Sequence, residues 1–434
     1  MRLLPLLLLT LLCVHPTVHA QQRLNIHGSN TIGETLAPLL VRNWLVARAA
    51  NGVSDVQTGY EERSITAVVD GTTLEVQVHA HGSSTAFQDL FDGSADIGMS
   101  SRPVKGTELE VGSGHLGRLD APSQETVIAL DGLSVIVHRD NPVEELSVGQ
   151  LQAIFSGRIR DWRAVGGRPG RIALHARDQR SGTWDTFSTL VLKDAALAPG
   201  TLRYESTAEL SRMVAADQRA IGFVGLVGVG EARALAVSDG GRALAPERFE
   251  VAVEDYPLSR RLYFYMPERS TPLARDFVAY VLSAEGQHAV EEAGFVSQDV
   301  RAYAPRHAAG VPASYAEHTR GARRLSLNFR FGTGSSFLDG KALLDVERLA
   351  AFMHLPANRG AQLRLLGFAD AVEHLPLHAL QTSVQRADVI AQQLAQRGIA
   401  VHRVRGFGGS VQVAGNATAH GRHRNRRVEV WIAP

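Results

Sequence analysis

The stretch LNIHGSNTIGETLAPLLVRNWL, Leu24 to Leu45, carries two periodicities on either side of one glycine. Leu24 and Ile26 alternate with polar neighbours, as in a strand, whereas Ile32, Leu36, Leu39, Leu40 and Trp44 recur at helical spacing. Strand, glycine turn, helix is the repeating unit of an α/β fold. The scheme recurs. LEVQVHA from Leu74 alternates as a strand and HGSSTAFQDLF from His81 leads into a helix; ADIGMSSRP from Ala95 is a short apolar segment ending in a polar loop; GRIALHARDQRSGTW from Gly170 repeats the unit.

Further out, LSVIVH before residue 139, AIGFVGLVG at 220–228 and RRLYFYMP at 260–267 read as strands. LSVGQLQAIFSGRIRDW, ELSRMVAAD and LARDFVAYVLSAEGQHAVEEAG supply intervening helices. Together they predict a first body of two α/β lobes over residues 21–302. Residues 303–324, with two prolines, many alanines and no apolar periodicity, read as an exposed linker. A second, smaller α/β body is expected over 325–434, with strands LSLNFRFG, QLRLLGF, IAVHRVRGFG and RRVEVWI, and helices LLDVERLAAFM and SVQRADVIAQQLAQRG. No internal repeat relates the two bodies.

The chain has 434 residues, enough for several unstapled cores, and a net charge of +1, which gives no global argument for nucleic acid. Residues 1–20 stand apart: Arg2 precedes the apolar run Leu3 to Val14, and Val18-His19-Ala20 has small residues where a signal peptidase reads. That run is short of the roughly 20 residues needed to span a bilayer, so a cleaved signal peptide is expected rather than an anchor. The only cysteine, Cys13, falls inside it, preceded by Leu12 rather than by the small residue of a lipidation signal. The mature chain would then carry no thiol and no disulfide.

Four loops share one chemistry: GSNT at Gly28–Thr31, GSST at Gly82–Thr85, MSSR at Met99–Arg102 and ARDQRSGT at Ala176–Thr183. Three precede helical patterns, where backbone N–H groups are free and the helix end is partly positive. Hydroxyls and glycine amides can surround the oxygens of a tetrahedral anion while an arginine fork supplies charge. One such loop is ordinarily a helix cap; four together point to a common anion site.

Residues 24–302 resemble the phosphate-type substrate-binding proteins of bacterial importers. The matching pieces are GSNTIGETLAPLL, GSSTAF, ADIGMSSRP, DGLSVIVHRDNPVEELSVGQLQAIFSGRIRDW, RSGTWDTF, AIGFVGLV and YPLSRRLYFYMP. The resemblance implies a two-lobed periplasmic-binding-protein fold of type II, a Venus flytrap whose chain crosses twice between lobes, with phosphate or a similar oxyanion in the cleft. The residues it implies are Ser29, Asn30, Thr31, Ser100, Ser101, Arg177, Ser181, Gly182 and Thr183, with Ser83 and Ser84 beside them. Known receptors place a carboxylate that accepts the proton of hydrogen phosphate near the position of Arg102; Asp178 is the substitute the sequence suggests, and Asp96 reads as structural. An ABC-importer permease is the partner such a receptor would have.

Residues 325–434 resemble the OmpA C-terminal family, through FRFGTGSSFLDGKALLDVERLAAFM, LLGFAD, QTSVQRADVIAQQLAQRGI, RGFGGS and NRRVEVWI. The resemblance implies peptidoglycan binding, with Asp370 taking the ammonium and Arg386 the carboxylate of diaminopimelate. Phe368 and Ala369 replace the usual polar pair, and the customary asparagine before the arginine helix is missing. Arg426 and Arg427 read as polar support for the last strand, and Arg424 as solvent-facing.

No catalytic site, cofactor or metal is expected. There is no GxSxG or HExxH, His374 and His378 are separated by Pro376, and His27, His79 and His81 read as loop or surface residues. GRHRNRRVEV lacks the aromatic platform of a nucleic-acid site. The expected protein is an exported, periplasmic oxyanion receptor held at the cell wall or outer membrane. The alternative is a structural or adhesion protein whose flytrap no longer serves transport.

Overall fold

The computed structural model describes residues 21–112, 114, 116–179, 181–305, 311–372 and 375–434. The expected signal peptide with Cys13 lies outside them, as do Arg180 and His374.

The unit around Gly28 forms as its periodicity requires. Strand Gln21–Gly28 runs parallel to its neighbours Thr72–His79 and Ile97–Ser100, and helix Leu36–Ala47 buries Leu36, Leu40, Trp44 and Leu45 against them. An eleven-stranded sheet of the described residues runs through the whole first body. Its pivotal member is the thirteen-residue strand Glu125–Val137, nearly all buried. One end pairs with Ser259–Tyr265 on the first lobe's side, the other with Ala220–Gly225 on the second's. Two large apolar clusters fill the first body. One is centred on Ile26, Leu40, Trp44, Phe264 and Phe277; in the other Phe187 stacks on Phe223 at 3.8 Å with Phe155 against both. That aromatic stack anchors helix Gly182–Phe187, whose first residues form the fourth loop.

Hairpin Asn51–Gly59 with Glu62–Val69 extends the sheet's edge where the sequence reading assigned nothing. Strand Asn51–Gly59 is exposed along nearly its whole length, so its polar residues carry no burial pattern to read.

In the second body a five-stranded sheet has Arg427–Ala433 at its centre, between Arg323–Arg330 and Gln362–Gly367. Val428, Val430 and Ile432 face the core formed with helices Gly340–His354 and Pro376–Ala395. Alternation predicts a solvated opposite face, yet Arg427, Glu429 and Trp431 are buried as well. The cover comes from residues expected to form an exposed linker. Helix Ala313–Thr319 lays Tyr315 among Phe368, Phe407 and Trp431, and the Tyr315 hydroxyl donates to Glu429 Oε2 at 2.8 Å. Two tyrosines twelve residues apart in an alanine-rich stretch give no periodicity, so the docking was illegible in sequence.

The two bodies meet across a charged, buried interface. Arg330 Nη2 donates to Asp255 Oδ1 at 2.6 Å with both side chains 2% exposed, and Arg324 and Asn328 reach the same carboxylate. Arg424, expected at the solvent, is buried and donates to Asp239 at 2.8 Å. Arg261 joins Asp339 at 2.6 Å while also gripping Glu254. A cavity of about 410 Å³ remains between the bodies, lined by Ser101, Asp185 and Arg260 on one side and His420, His423 and Arg424 on the other.

His420 presents surface to this chamber, but the protein around it, with Arg424 adding like charge, pushes its imidazole down to about 4; burial and Arg330 do the same to His423. Such groups are protonated in the unfolded chain from about pH 6.5 downwards while remaining neutral in the fold. Their contribution is therefore complete above that pH and declines as pH falls towards 4. NMR titration should give both midpoints near pH 4. Replacing both by Gln should flatten the loss of stability between those limits, measured by urea unfolding against the parent chain.

Candidate anion-binding cleft

Backbone contacts first bring three of the four loops together. Gly28 O accepts from Gly82 N at 2.8 Å, and Ser29 N donates to Met99 O at 2.9 Å. Gly28 makes this possible: its φ is +133°, and a Cβ there would lie 2.1 Å from Met99 O. Side chains tighten the junction, since Ser101 N donates to Ser83 Oγ at 3.1 Å and the two hydroxyls lie 3.1 Å apart. The fourth loop comes from the other lobe. Ser101 Oγ donates to Asp185 Oδ2 at 3.1 Å, and Gly182 packs so tightly on Thr31 that a Cβ would sit 1.8 Å from its Oγ1. Ser181 caps the helix by accepting from Thr183 N at 3.2 Å.

The expected residues thus converge, but they do not all face one space. Thr31, Arg177, Gly182 and Thr183 line a cavity of about 170 Å³ with Asp131. Ser101 instead faces the interbody chamber. The others hold the framework. Asn30 Nδ2 donates to Ala80 O at 2.6 Å and to Glu61, Ser100 Oγ to Arg102 O at 2.7 Å, and Ser84 Oγ accepts from Arg102 at 3.3 Å. Arg177, 5% exposed, is aimed by three bonds to Tyr204 O, Glu205 O and Thr207 Oγ1.

Sequence reasoning missed the group between the two spaces. Arg260 Nη2 donates to Thr31 Oγ1 at 2.6 Å and Gly182 O at 2.9 Å, touching both lobes, and its guanidinium pairs with Asp131 at 3.2 Å. Burial raises the Asp131 carboxyl, and the adjacent Arg260 and Gly132 N–H draw it back. A signal existed: Asp131 interrupts the apolar run VIALDGLSVIV, where a charge requires a partner. Arg102, by contrast, is no free cation. Its fork closes on Glu108 at 2.7 and 2.9 Å and lies over the Phe87 ring. A carboxylate that bonds the hydroxyl loops is Asp185, half-exposed, 3.1 Å from Ser101 Oγ and 4.0 Å from Arg260. Asp96 holds the first strand by accepting from Asn25 N at 2.8 Å.

The three histidines sit in the same lobe as the first two loops. His27 stacks on His79 at 4.1 Å and meets Asp89 at 2.8 Å; His81 meets Glu62 at 2.9 Å. Among the described residues no group of three potential ligands is arranged to hold a metal.

In the second body Asp370 and Arg386 border one loop but are 1% and 0% exposed. Asp370 Oδ2 accepts from Arg426 Nη1 at 2.7 Å, and Arg426 Nε donates to Phe331 O. Arg386 lies over the Phe331 ring and donates to Gly332 O and Ser335 O. A ligand approaching either charge must therefore compete with these bonds.

Residues 48–285 match the PBP superfamily domain, more than half of the chain, and residues 330–426 match the OmpA family. The chain belongs to the PBP superfamily. It joins a PstS-like body to an OmpA-like one. The phosphate-binding protein PstS of Pseudomonas aeruginosa is 30% identical over 250 residues, covering 51% of this chain and 74% of that protein. PstS of Bacillus subtilis is 29% identical over 217 residues, covering 50% and 68%. An ABC-type phosphate transport receptor from Vibrio cholerae shares the fold with a TM-score of 0.51 at 24% identity, over 63% of this chain and 99% of that one. Both modules bind rather than catalyse, so the PstS-like and OmpA-like parts together make no enzyme. No helix of the described residues is long and apolar enough to cross a membrane.

The Thr31–Gly182 contact sets how near the PstS-like lobes approach. Gly182→Ala should force them apart, lowering stability by about 1–3 kcal/mol in urea unfolding, the usual range for overpacking. An unchanged midpoint would show that the lobes do not meet there in solution.

Proposed function

We propose that the first body is a type II Venus flytrap that binds an oxyanion, phosphate above others, in the periplasm after cleavage of residues 1–20, and that the second holds it to peptidoglycan. The observation carrying this reading is that Thr31 of one lobe and Arg177, Gly182 and Thr183 of the other line one cavity, with the GSST and MSSR loops bonded to the loop that carries Thr31. Ser29, Asn30, Thr31, Ser83, Ser84, Ser100, Ser101, Arg177, Ser181, Gly182 and Thr183 form or support the cradle. Strands Glu125–Val137 and Ser259–Tyr265 serve as the crossings about which the lobes close. There is no chemical step; closure replaces water with preorganised donors. An importer permease is the candidate partner for delivery.

Calorimetry of the mature protein with phosphate, sulfate and arsenate tests this. Phosphate and arsenate should bind more tightly than sulfate. Arg177→Ala should weaken phosphate by about 10- to 150-fold, the worth of a hydrogen bond to a charged group at roughly 1.5–3 kcal/mol. Heat from none of the three anions would return the protein to a structural role.

For the second body, Asp370 and Arg386 are proposed to receive the two charged ends of diaminopimelate. Co-sedimentation with purified sacculi should fall in Arg386→Ala and Asp370→Asn relative to the parent; equal sedimentation of all three would remove the wall-binding assignment.

A further inference from the structure

The second body does not hang beside the first; it touches both lobes. On the second lobe, Arg330, Arg324 and Asn328 hold Asp255, and Arg424 holds Asp239. On the first, Asp339 takes Arg261, the adjacent Gly340 packs on Pro122, and Arg348 donates to Gln298 at 3.0 Å. A rigid domain fixed at both sides of a hinge sets the angle between them.

The same contacts run into the expected wall-ligand site through consecutive residues. Arg330 grips Asp255, the next residue Phe331 lies under the Arg386 guanidinium and accepts from Arg426, and Gly332 O accepts from Arg386. Arg426, which holds Asp370, is two residues from Arg424, which holds Asp239, and the Arg330 guanidinium also bonds Arg424 O. Asp370 and Arg386 therefore cannot take new partners without disturbing the segment that grips the second lobe.

We propose that the OmpA-like body is a brace on the flytrap, so that peptidoglycan and oxyanion binding are linked with negative sign. The linkage rests on the function proposed above. Docked, the second body holds the lobes in the arrangement in which Arg260 spans Thr31 and Gly182. A stem peptide taking Asp370 and Arg386 loosens Phe331, Gly332 and Arg426, releases the grip on Asp255 and Asp239, and frees the lobes to open. The closed cleft is the high-affinity state, and its population falls. By reciprocity, phosphate weakens stem-peptide binding by the same factor.

The test uses the mature full chain, with phosphate and a soluble diaminopimelate-containing stem tripeptide as probes. Saturating tripeptide should raise the phosphate Kd by about fivefold or more, the lower range of such couplings. It should also speed hydrogen exchange at residues 253–255 and 411–424. Asp239→Asn, at the edge of the interface, should raise the phosphate Kd without tripeptide and reduce the tripeptide's further effect. The measurement on the parent chain needs no variant, so misfolding of the variant leaves the outcome intact. Phosphate binding with one Kd in all four conditions overturns the linkage while leaving the oxyanion reading in place. Failure to bind phosphate in any condition defeats that reading and the linkage with it, and the two results are distinct.

Discussion

The Asp255 carboxylate is the constraint on which the assembly of this protein depends. Fully buried, it would be untenable as a lone charge, and Arg330, Arg324 and Asn328 of the second body reach it. Burial pushes its pKa up and the two arginines pull it further down, so the ionised form prevails. A buried ion pair adds little net stability against a well-packed apolar contact, but losing one partner is expensive. The interface is accordingly specific: docking in any other register would bury charges of one body away from their partners on the other.

A second buried pair organises the cleft on the same principle. Arg260 is neutralised by Asp131 from the long central strand, while its remaining N–H groups reach Thr31 of one lobe and Gly182 of the other. The hydroxyl loops would be ordinary helix caps if each stood alone. They pack together because Gly28 and Gly182 lack the Cβ that would hold the chains apart.

What could be read in advance followed periodicity. Leu36, Leu40 and Trp44 announced a helix, and Val428, Val430 and Ile432 a strand, because each pattern reports which face meets a core. Periodicity was silent where one residue docks alone, as with Tyr315, and where a strand is exposed, as with Asn51–Gly59. The sequence misled at Arg424, whose charge reads as solvent exposure yet is matched by Asp239 in the interior.

By itself, then, the sequence determined the α/β units, the two bodies and the loops of hydroxyl, glycine and arginine, since these are set by local geometry and by which side chains avoid water. Only the tertiary structure decided that Asp185 bonds Ser101 across the lobes, that Arg260 lies between them, and that the second body grips both. Those outcomes depend on pairing buried charges far apart in the chain, and a charge in a sequence does not name its partner.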